Sequence, residues 1–278
     1  MTDPTVRKRE EDEHVLHLWE PFPFTATSDY DYLRDRWYKR FLSFLLRVIA
    51  IPLLGIYNYV TLGFRICGRK NLKALKKRGA VTVCNHIHQL DCTMIYIALW
   101  NRRGYFVTLD TNFKIPIARH LIRGFGGVPI SKNPHQIKEL FSMMKKALSR
   151  GNFVQIYPEG VLIPYCRTLR KFYPGAFRMA ADNAVPILPM VLTLEKPRGF
   201  FAWYKRKRCL RLHILSPIEP DLTLEKHDCA AKLQQQCREA MEQKRIERRR
   251  MQAIVKSPKK NAEETPGKDI SSDESHSH

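Results

Sequence analysis

The sequence predicts an α/β fold: a mostly parallel central sheet flanked by helices, with an N-terminal membrane-associated helical motif ahead of it. Three observations carry this expectation. From about Gly68 onward, strand-like and helix-like runs alternate, as they do in a parallel sheet whose crossovers are helical. Hydrophobic residues make up 44% of the 278, enough for a full core and too many for wholesale disorder. Before the alternation lies an apolar run over 41–64 whose only charge is Arg47.

Taken in order, residues 1–34 read as a poorly ordered leader. Its first twenty residues are polar and acidic, unlike a secretory signal. Its Trp19-Glu20-Pro21-Phe22-Pro23-Phe24 patch suits docking on the body or on a membrane. Residues 35–67 read as the membrane-associated helices. Pro52 interrupts any helix there. After Arg47 there are 17 uncharged residues, several polar or weak in helices, against the ~20 expected of a spanning helix. A helix pair bent at Pro52, lying in one leaflet and anchored by Trp37, Tyr38, Lys39 and Arg40, fits best. A spanning helix and a buried soluble pair are the competing readings.

Residues 68–222 form the α/β domain. Strands are expected at 81–83, 104–109, 153–157, 187–192 and 210–215, and helices at 92–101, 115–123, 134–149 and 174–183. Asn133-Pro134 starts the third helix and Gly151 ends it. Residues 223–250 read as a basic amphipathic helix, whose end at 244–250 suits solvent or a membrane face. Residues 251–278 are Lys-, Ser- and Glu-rich and read as disordered.

The net charge is +21. The tail from Met251 does not supply it, because four lysines there face five acids. A positive body attracts polyanions: nucleic acid, anionic lipid headgroups or phosphorylated substrates. The seven cysteines are odd in number and include no Cys-x-x-Cys pair, which reads as reduced thiols in a cytosolic setting rather than a disulfide framework or zinc site. No metal site is expected.

The chemistry centres on Cys84-Asn85-His86-Ile87-His88-Gln89-Leu90-Asp91. An imidazole with a near-neutral pKa removes a proton from an alcohol, and a carboxylate fixes its tautomer. Five residues turn through about 140° on a helix, so His86 and Asp91 share no helical face. They meet if the segment is a strand-to-helix turn. His88 competes as the partner of Asp91. Cys84 and Cys92 flank the motif and raise an acyl-cysteine alternative; otherwise both read as small buried residues. Asn85 suits a helix cap or a donor to the site.

Three further blocks follow His86 in order: Gly126-Gly127-Val128-Pro129-Ile130-Ser131-Lys132 about 40 residues on, Tyr157-Pro158-Glu159-Gly160 about 70 on, and Val185-Pro186-Ile187-Leu188-Pro189 about 100 on. Together the four blocks resemble the glycerolipid acyltransferases, the lysophosphatidate (1-acylglycerol-3-phosphate) acyltransferases and their relatives, over about residues 35–220. The resemblance implies His86 as general base and Asp91 as its orienter, with the acceptor alcohol itself as nucleophile. It implies Lys132, at the end of a glycine loop, as a phosphate ligand. It implies that Glu159 positions the acceptor and that Gly160 lets backbone approach it. Many relatives follow Glu-Gly with Thr-Arg, whereas this chain has Val161-Leu162, so Arg167 and Arg170 are the expected substitutes for the lost cation. The Val185 block is expected to be a buried strand lining an acyl or acceptor groove.

The implied reaction moves a fatty acyl group from acyl-CoA or acyl carrier protein, as co-substrate with no tightly bound cofactor, to the free hydroxyl of lysophosphatidate. Another lysophospholipid, or a lysine- or ornithine-type lipid, is the alternative acceptor. The expected setting is the cytoplasmic face of a membrane. Phe200-Phe201-Ala202-Trp203-Tyr204 followed by Lys205-Arg206-Lys207-Arg208 suits anionic lipid or the phosphates of coenzyme A. A non-catalytic binder of anionic lipid or nucleic acid is the lesser alternative; no specific nucleic acid is expected as a partner.

Overall fold

The computed structural model describes residues 24, 30–131 and 133–254. The 251–278 tail therefore falls outside the described residues beyond Ile254, and so does Lys132. In chain order the elements are helix α1 (Trp37–Leu62), strand β1 (Arg65–Cys67), a 3-10 segment (Arg69–Leu75), β2 (Ala80–Cys84), α2 (Asp91–Ala98) and β3 (Gly104–Leu109). A second 3-10 segment (Asp110–Lys114), α3 (Pro116–Gly124), β4 (Gly127–Ile130), α4 (Pro134–Ser149) and β5 (Phe153–Ile156) follow. The chain continues through α5 (Gly175–Asp182), β6 (Ile187–Glu195), α6 (Phe200–Tyr204), β7 (Cys209–Ile214) and α7 (Lys226–Ile254).

The strands form one seven-stranded sheet in the order β1-β7-β6-β2-β5-β3-β4. Every neighbouring pair is parallel except β6 with β7. The mostly parallel α/β architecture is thus the one the alternation predicts. β2 lies between β5 and β6 and is buried at all five positions. Its side chains alternate between layers as the period of two requires. Val81 and Val83 pack with Val154, Tyr105 and the inner faces of α4, α5 and α7. Ala80 and Cys84 point the other way, toward Met94 and Ile95 of α2 and Leu188 of β6.

Two strands escape the sequence reading. β1 is only three residues long and opens on a charge. The Gly126 block was expected to be a loop, but Gly127–Ile130 pairs with Phe106–Leu109 as the edge strand. Gly126 explains the difference: its φ is +84°, and a Cβ there would lie 2.2 Å from the Gly104 carbonyl oxygen. The chain therefore turns tightly onto β3 and emerges in register, with Pro129 tolerated because β4 is an edge.

The N-terminal region also departs from expectation. Tyr32 and Leu33 are buried in the core, Lys39 bridges to Asp31 at 2.5 Å, and the Phe24 ring stacks on Phe113. At least 30–34 is thus packed body and not loose leader; the other leader positions fall outside the described residues, apart from Phe24. Nor is 35–67 a bent helix pair. α1 runs unbroken through Pro52 for 26 residues. Pro52 is exposed, so the hydrogen bond it deletes lies on the outer side while the inner stripe keeps its packing. That stripe recurs at helical spacing and is seated at both ends. Ile51 and Leu62 join the core cluster of α2, and Asn58 Nδ2 donates to Thr93 Oγ1 at 2.9 Å. Outside the stripe, Phe41, Phe44, Val48, Ile49, Leu53 and Ile56 are exposed. α1 is long and apolar enough to cross a membrane. The contacts that seat it on the α2 cluster run from Ile51 to Leu62.

α7 also differs from the separate helix expected over 223–250. Cys229, Leu233, Cys237 and Met241, four residues apart, are buried against the sheet and α5. The basic end is divided: Ile246, Glu247, Arg249 and Arg250 are exposed as expected, whereas Arg245 is buried and Arg248 pairs with Glu195 of β6 at 2.6 Å.

His213 on β7 offers a stability test. It is buried, 3.1 Å from Thr193 Oγ1, and burial first, then Arg248, Lys244 and Arg211, lower its pKa to about 4 from 6.5. A depressed histidine pKa means that the unfolded chain binds the extra proton. Its contribution is therefore present above about pH 6.5 and is lost as pH falls toward 4, at up to ~1.4 kcal/mol per pH unit. Urea unfolding of the wild type should show a lower midpoint at pH 5 than at pH 7, and His213→Gln should shrink that gap.

Candidate active site

The topology selects one crevice. From β2 the chain crosses by α2 toward β3, while from the adjacent β5 it crosses by α5 toward β6 on the other side. Connections that leave neighbouring parallel strands in opposite directions open a crevice at the strands' carboxyl ends, where α/β sheets bind ligands. The residues after β2 are His86 to Asp91, and those after β5 are Tyr157 to Gly160. Two motifs about 70 residues apart in sequence therefore face each other there.

β2 stops at Cys84 and α2 begins at Asp91, so 85–90 is a strand-to-helix turn. Asn85 anchors it as neither cap nor site donor. Its side chain is buried, donates to the Leu192 carbonyl at 3.1 Å and accepts the Leu192 N–H at 2.8 Å, tying the turn to β6. Beyond that anchor the chain reverses and brings His86 Nδ1 to 2.5 Å from Asp91 Oδ2. His88 does not compete for Asp91. Its Nδ1 accepts the Leu90 N–H at 3.1 Å, and burial lowers its pKa, keeping it neutral.

Asp91 is fully enclosed, and a buried carboxylate needs partners on both oxygens. The second is Tyr157, whose hydroxyl donates to Asp91 Oδ1 at 2.7 Å. Burial first, then the Asp91 charge, push the Tyr157 pKa well above its ordinary value, so the hydroxyl stays protonated and donating. The same ring stacks on the His86 imidazole, with centroids 4.1 Å apart and planes 14° from parallel. Three groups thus fix one imidazole. With Nδ1 engaged by the carboxylate, Nε2 is left for a substrate. Tyr157 was quoted in its block for the glutamate and glycine beside it; its own role follows only from the distance to Asp91.

The second buried carboxylate is Glu159. Its side chain is enclosed, with Oε2 3.5 Å from the His86 backbone N–H and 3.3 Å from the Arg170 guanidinium. Oε1 accepts the Arg170 N–H at 3.3 Å. Arg170 also donates to the Val161 carbonyl. The pair ties the 157–174 loop to the His86 turn. Gly160 is exposed with φ +75°, and a Cβ there would press on the Tyr173 ring at 3.2 Å. Arg167 is exposed on the same loop. α7 holds this loop from outside: Gln234 donates to the Phe172 carbonyl at 3.0 Å, Arg238 to that of Arg170 and Arg249 to that of Arg167.

The remaining expectations divide. Cys84 is buried, and burial raises its thiol pKa well above the ordinary value, which disfavours a nucleophilic thiolate. Cys92 is exposed on α2, contrary to its reading as a buried residue. The Val185 block leads into β6, where Ile187 and Leu188 are fully buried in the sheet and Pro189 pairs with Val83. It braces β2.

An imidazole set on a buried carboxylate at a sheet's switch point is an arrangement that suits general-base chemistry. Comparison with known proteins narrows it. Residues 64–193 match the Acyltransferase family model. A lyso-ornithine lipid O-acyltransferase of Rhodobacter capsulatus is 26% identical over 137 residues, covering 46% of this chain and 47% of the relative. The chain thus spans about half the length of that curated relative. The crystal structure of PlsC, the 1-acyl-sn-glycerophosphate (LPA) acyltransferase of Thermotoga maritima, superposes with a TM-score of 0.52 at 18% identity, over 74% of this chain and 86% of that one. It shares the fold. The three likenesses together support a glycerolipid acyltransferase family for the chain, the family match itself covering just under half of it.

Tyr157→Phe tests the arrangement. It should leave the protein folded and lower kcat by roughly 10-fold through a looser imidazole. Losing the hydroxyl leaves Asp91 Oδ1 without its donor and frees the carboxylate to turn away from Nδ1. The loss should fall on kcat with KM held; an unchanged kcat would remove Tyr157 from the arrangement.

Proposed function

We propose that the chain is an O-acyltransferase acting at a membrane surface, with a lysophospholipid as acceptor and acyl-CoA or acyl carrier protein as donor. The observation that carries the reading is the His86–Asp91 contact, braced by Tyr157, at the sheet's switch point. In this mechanism Asp91 holds the Nδ1–H tautomer of His86, and Nε2 takes the proton from the acceptor hydroxyl. The oxygen attacks the thioester carbonyl, the new C–O bond forms and the C–S bond breaks. The thiolate leaves and takes its proton from the imidazolium Nε2–H, restoring the enzyme. No enzyme nucleophile is needed.

Lysophosphatidate is the acceptor we place first, with phosphatidate as product. Its phosphate would be met by Arg167, exposed on the 157–174 loop, and by Lys132 at the end of the β4 block, in a body of strong positive charge. A second reading has an observation of its own. Arg170 is committed to Glu159, and the residues after Gly160 are Val161 and Leu162, a less cationic approach that suits a lyso-ornithine or similar amino-acid lipid. The cytoplasmic face of the membrane is the proposed location.

Acyl transfer from labelled palmitoyl-CoA and from palmitoyl carrier protein to a panel of lysolipids tests both readings. His86→Ala should lose about 10²–10⁴-fold in kcat/KM, and Asp91→Asn a comparable factor. A preference for lysophosphatidate that Arg167→Gln weakens through KM favours the first acceptor. A preference for lyso-ornithine lipid indifferent to Arg167→Gln favours the second. Activity retained in His86→Ala would overturn the mechanism.

A further inference from the structure

We infer that α6 and the basic run after it form a second membrane-docking surface, one that seats the carboxyl edge of the sheet on an anionic bilayer. The inference deepens the membrane-enzyme reading above and rests on it. α6 is five residues long, Phe200–Tyr204, and only Phe201 turns fully inward. Its ring meets Tyr59 of α1 edge-on at 5.1 Å, under the guanidinium of Arg65. Tyr204 Oη donates to the Val60 carbonyl at 2.6 Å, and Lys205 Nζ donates to that of Thr61. α6 is therefore clipped to the last turn of α1.

The clip leaves large apolar groups facing water. Phe200 is 67% exposed and Trp203 84%, beside exposed Ile56 and Val60 of α1. Two helices from distant parts of the chain thus present one continuous apolar surface, which is costly in water and suits a lipid interface. Aromatics followed directly by cations match the boundary of a bilayer, where rings sit at the headgroup level and basic side chains meet anionic lipid. Arg206 and Lys207 are exposed immediately after α6.

Topology gives the surface its use. β6 runs parallel to β2, with Met190 opposite Cys84, so the chain leaving Glu195 for α6 emerges from the same edge as His86. The end of α1 reaches that edge too, through Asn58 and Thr93, two residues beyond Asp91. A bilayer touching α1 and α6 together lies beside the His86 crevice, so a lysolipid reaches Nε2 from the leaflet without crossing water.

The test uses the detergent-purified full chain diluted into vesicles of phosphatidylcholine alone or of an equal mixture with phosphatidylglycerol. Binding is read by flotation, without turnover, so a failure here is separate from a failure of acyl transfer. Arg206→Gln/Lys207→Gln should weaken binding to the mixed vesicles about 10- to 30-fold and leave binding to neutral vesicles unchanged. Phe200→Ser/Trp203→Ser should weaken binding to both by about 10-fold or more, α1 supplying the remainder. In a chain retaining Trp203 alone (Trp19→Phe, Trp37→Phe, Trp100→Phe), acyl-brominated lipid should quench the fluorescence. An unquenched Trp203 in vesicle-bound protein would overturn the inference. So would a charge-variant defect confined to the KM for acyl-CoA, binding to RNA lost in parallel with no change on vesicles, or self-association that the aromatic substitutions abolish while vesicle binding persists.

Discussion

The structure depends on how one buried carboxylate is satisfied. Asp91 has no exposed surface, and an ionised carboxylate without water is tolerated only with donors on both oxygens. His86 supplies one and Tyr157 the other, and they arrive from different strands. β2 and β5 must therefore end level with each other, which their parallel pairing from Ala80 opposite Phe153 enforces. Glu159 repeats the device one turn deeper, meeting the His86 backbone and Arg170. Two enclosed acids, each hydrogen-bonded across the β2–β5 boundary, hold the His86 turn more firmly than a surface pair in water would.

Elements outside the matched 64–193 region complete this arrangement. α7 is bonded to the 157–174 loop at three carbonyls, from Gln234, Arg238 and Arg249. The same helix is anchored in the core by Cys229, Leu233, Cys237 and Met241, so the loop is braced against a rigid body. α1 braces the other side, with Asn58 held to Thr93 and Thr93 in turn to the Leu90 carbonyl just before Asp91. The helix with the most exposed apolar surface is thus linked by two hydrogen bonds to the turn that carries His86 and Asp91.

This arrangement also explains the division of labour among the cations. Charges reaching the 157–174 loop are already engaged: Arg170 by Glu159, and Arg238 and Arg249 by carbonyls. Arg248 and Arg211 converge on Glu195 at the end of β6. Much of the basic excess therefore serves as internal fastening, and a count of charges overstates what is free for a phosphate. Arg206 and Lys207 remain outward-facing at the α1–α6 junction.

The sequence by itself determined the alternating α/β body, the strand-to-helix turn at His86 and Asp91, and α4 with its limits, because these depend on local signals. Residue periodicity, Asn133 accepting the His135 N–H, Pro134 at the first turn and Gly151 at φ +78° all act within a few residues. Tertiary structure alone decided the rest. Edge strand β4 exists because Gly126 fits against the Gly104 carbonyl, a partner over twenty residues away. α1 stays whole at Pro52 because the body supports its inner stripe. Tyr157 acquires its part from Asp91, 66 residues distant, and Arg170 acquires its ion pair because Glu159 lies enclosed beside it. The physical reason is common to all four: each outcome is set by a donor, an acceptor or a surface contributed by a remote segment, and no local pattern encodes which segment arrives.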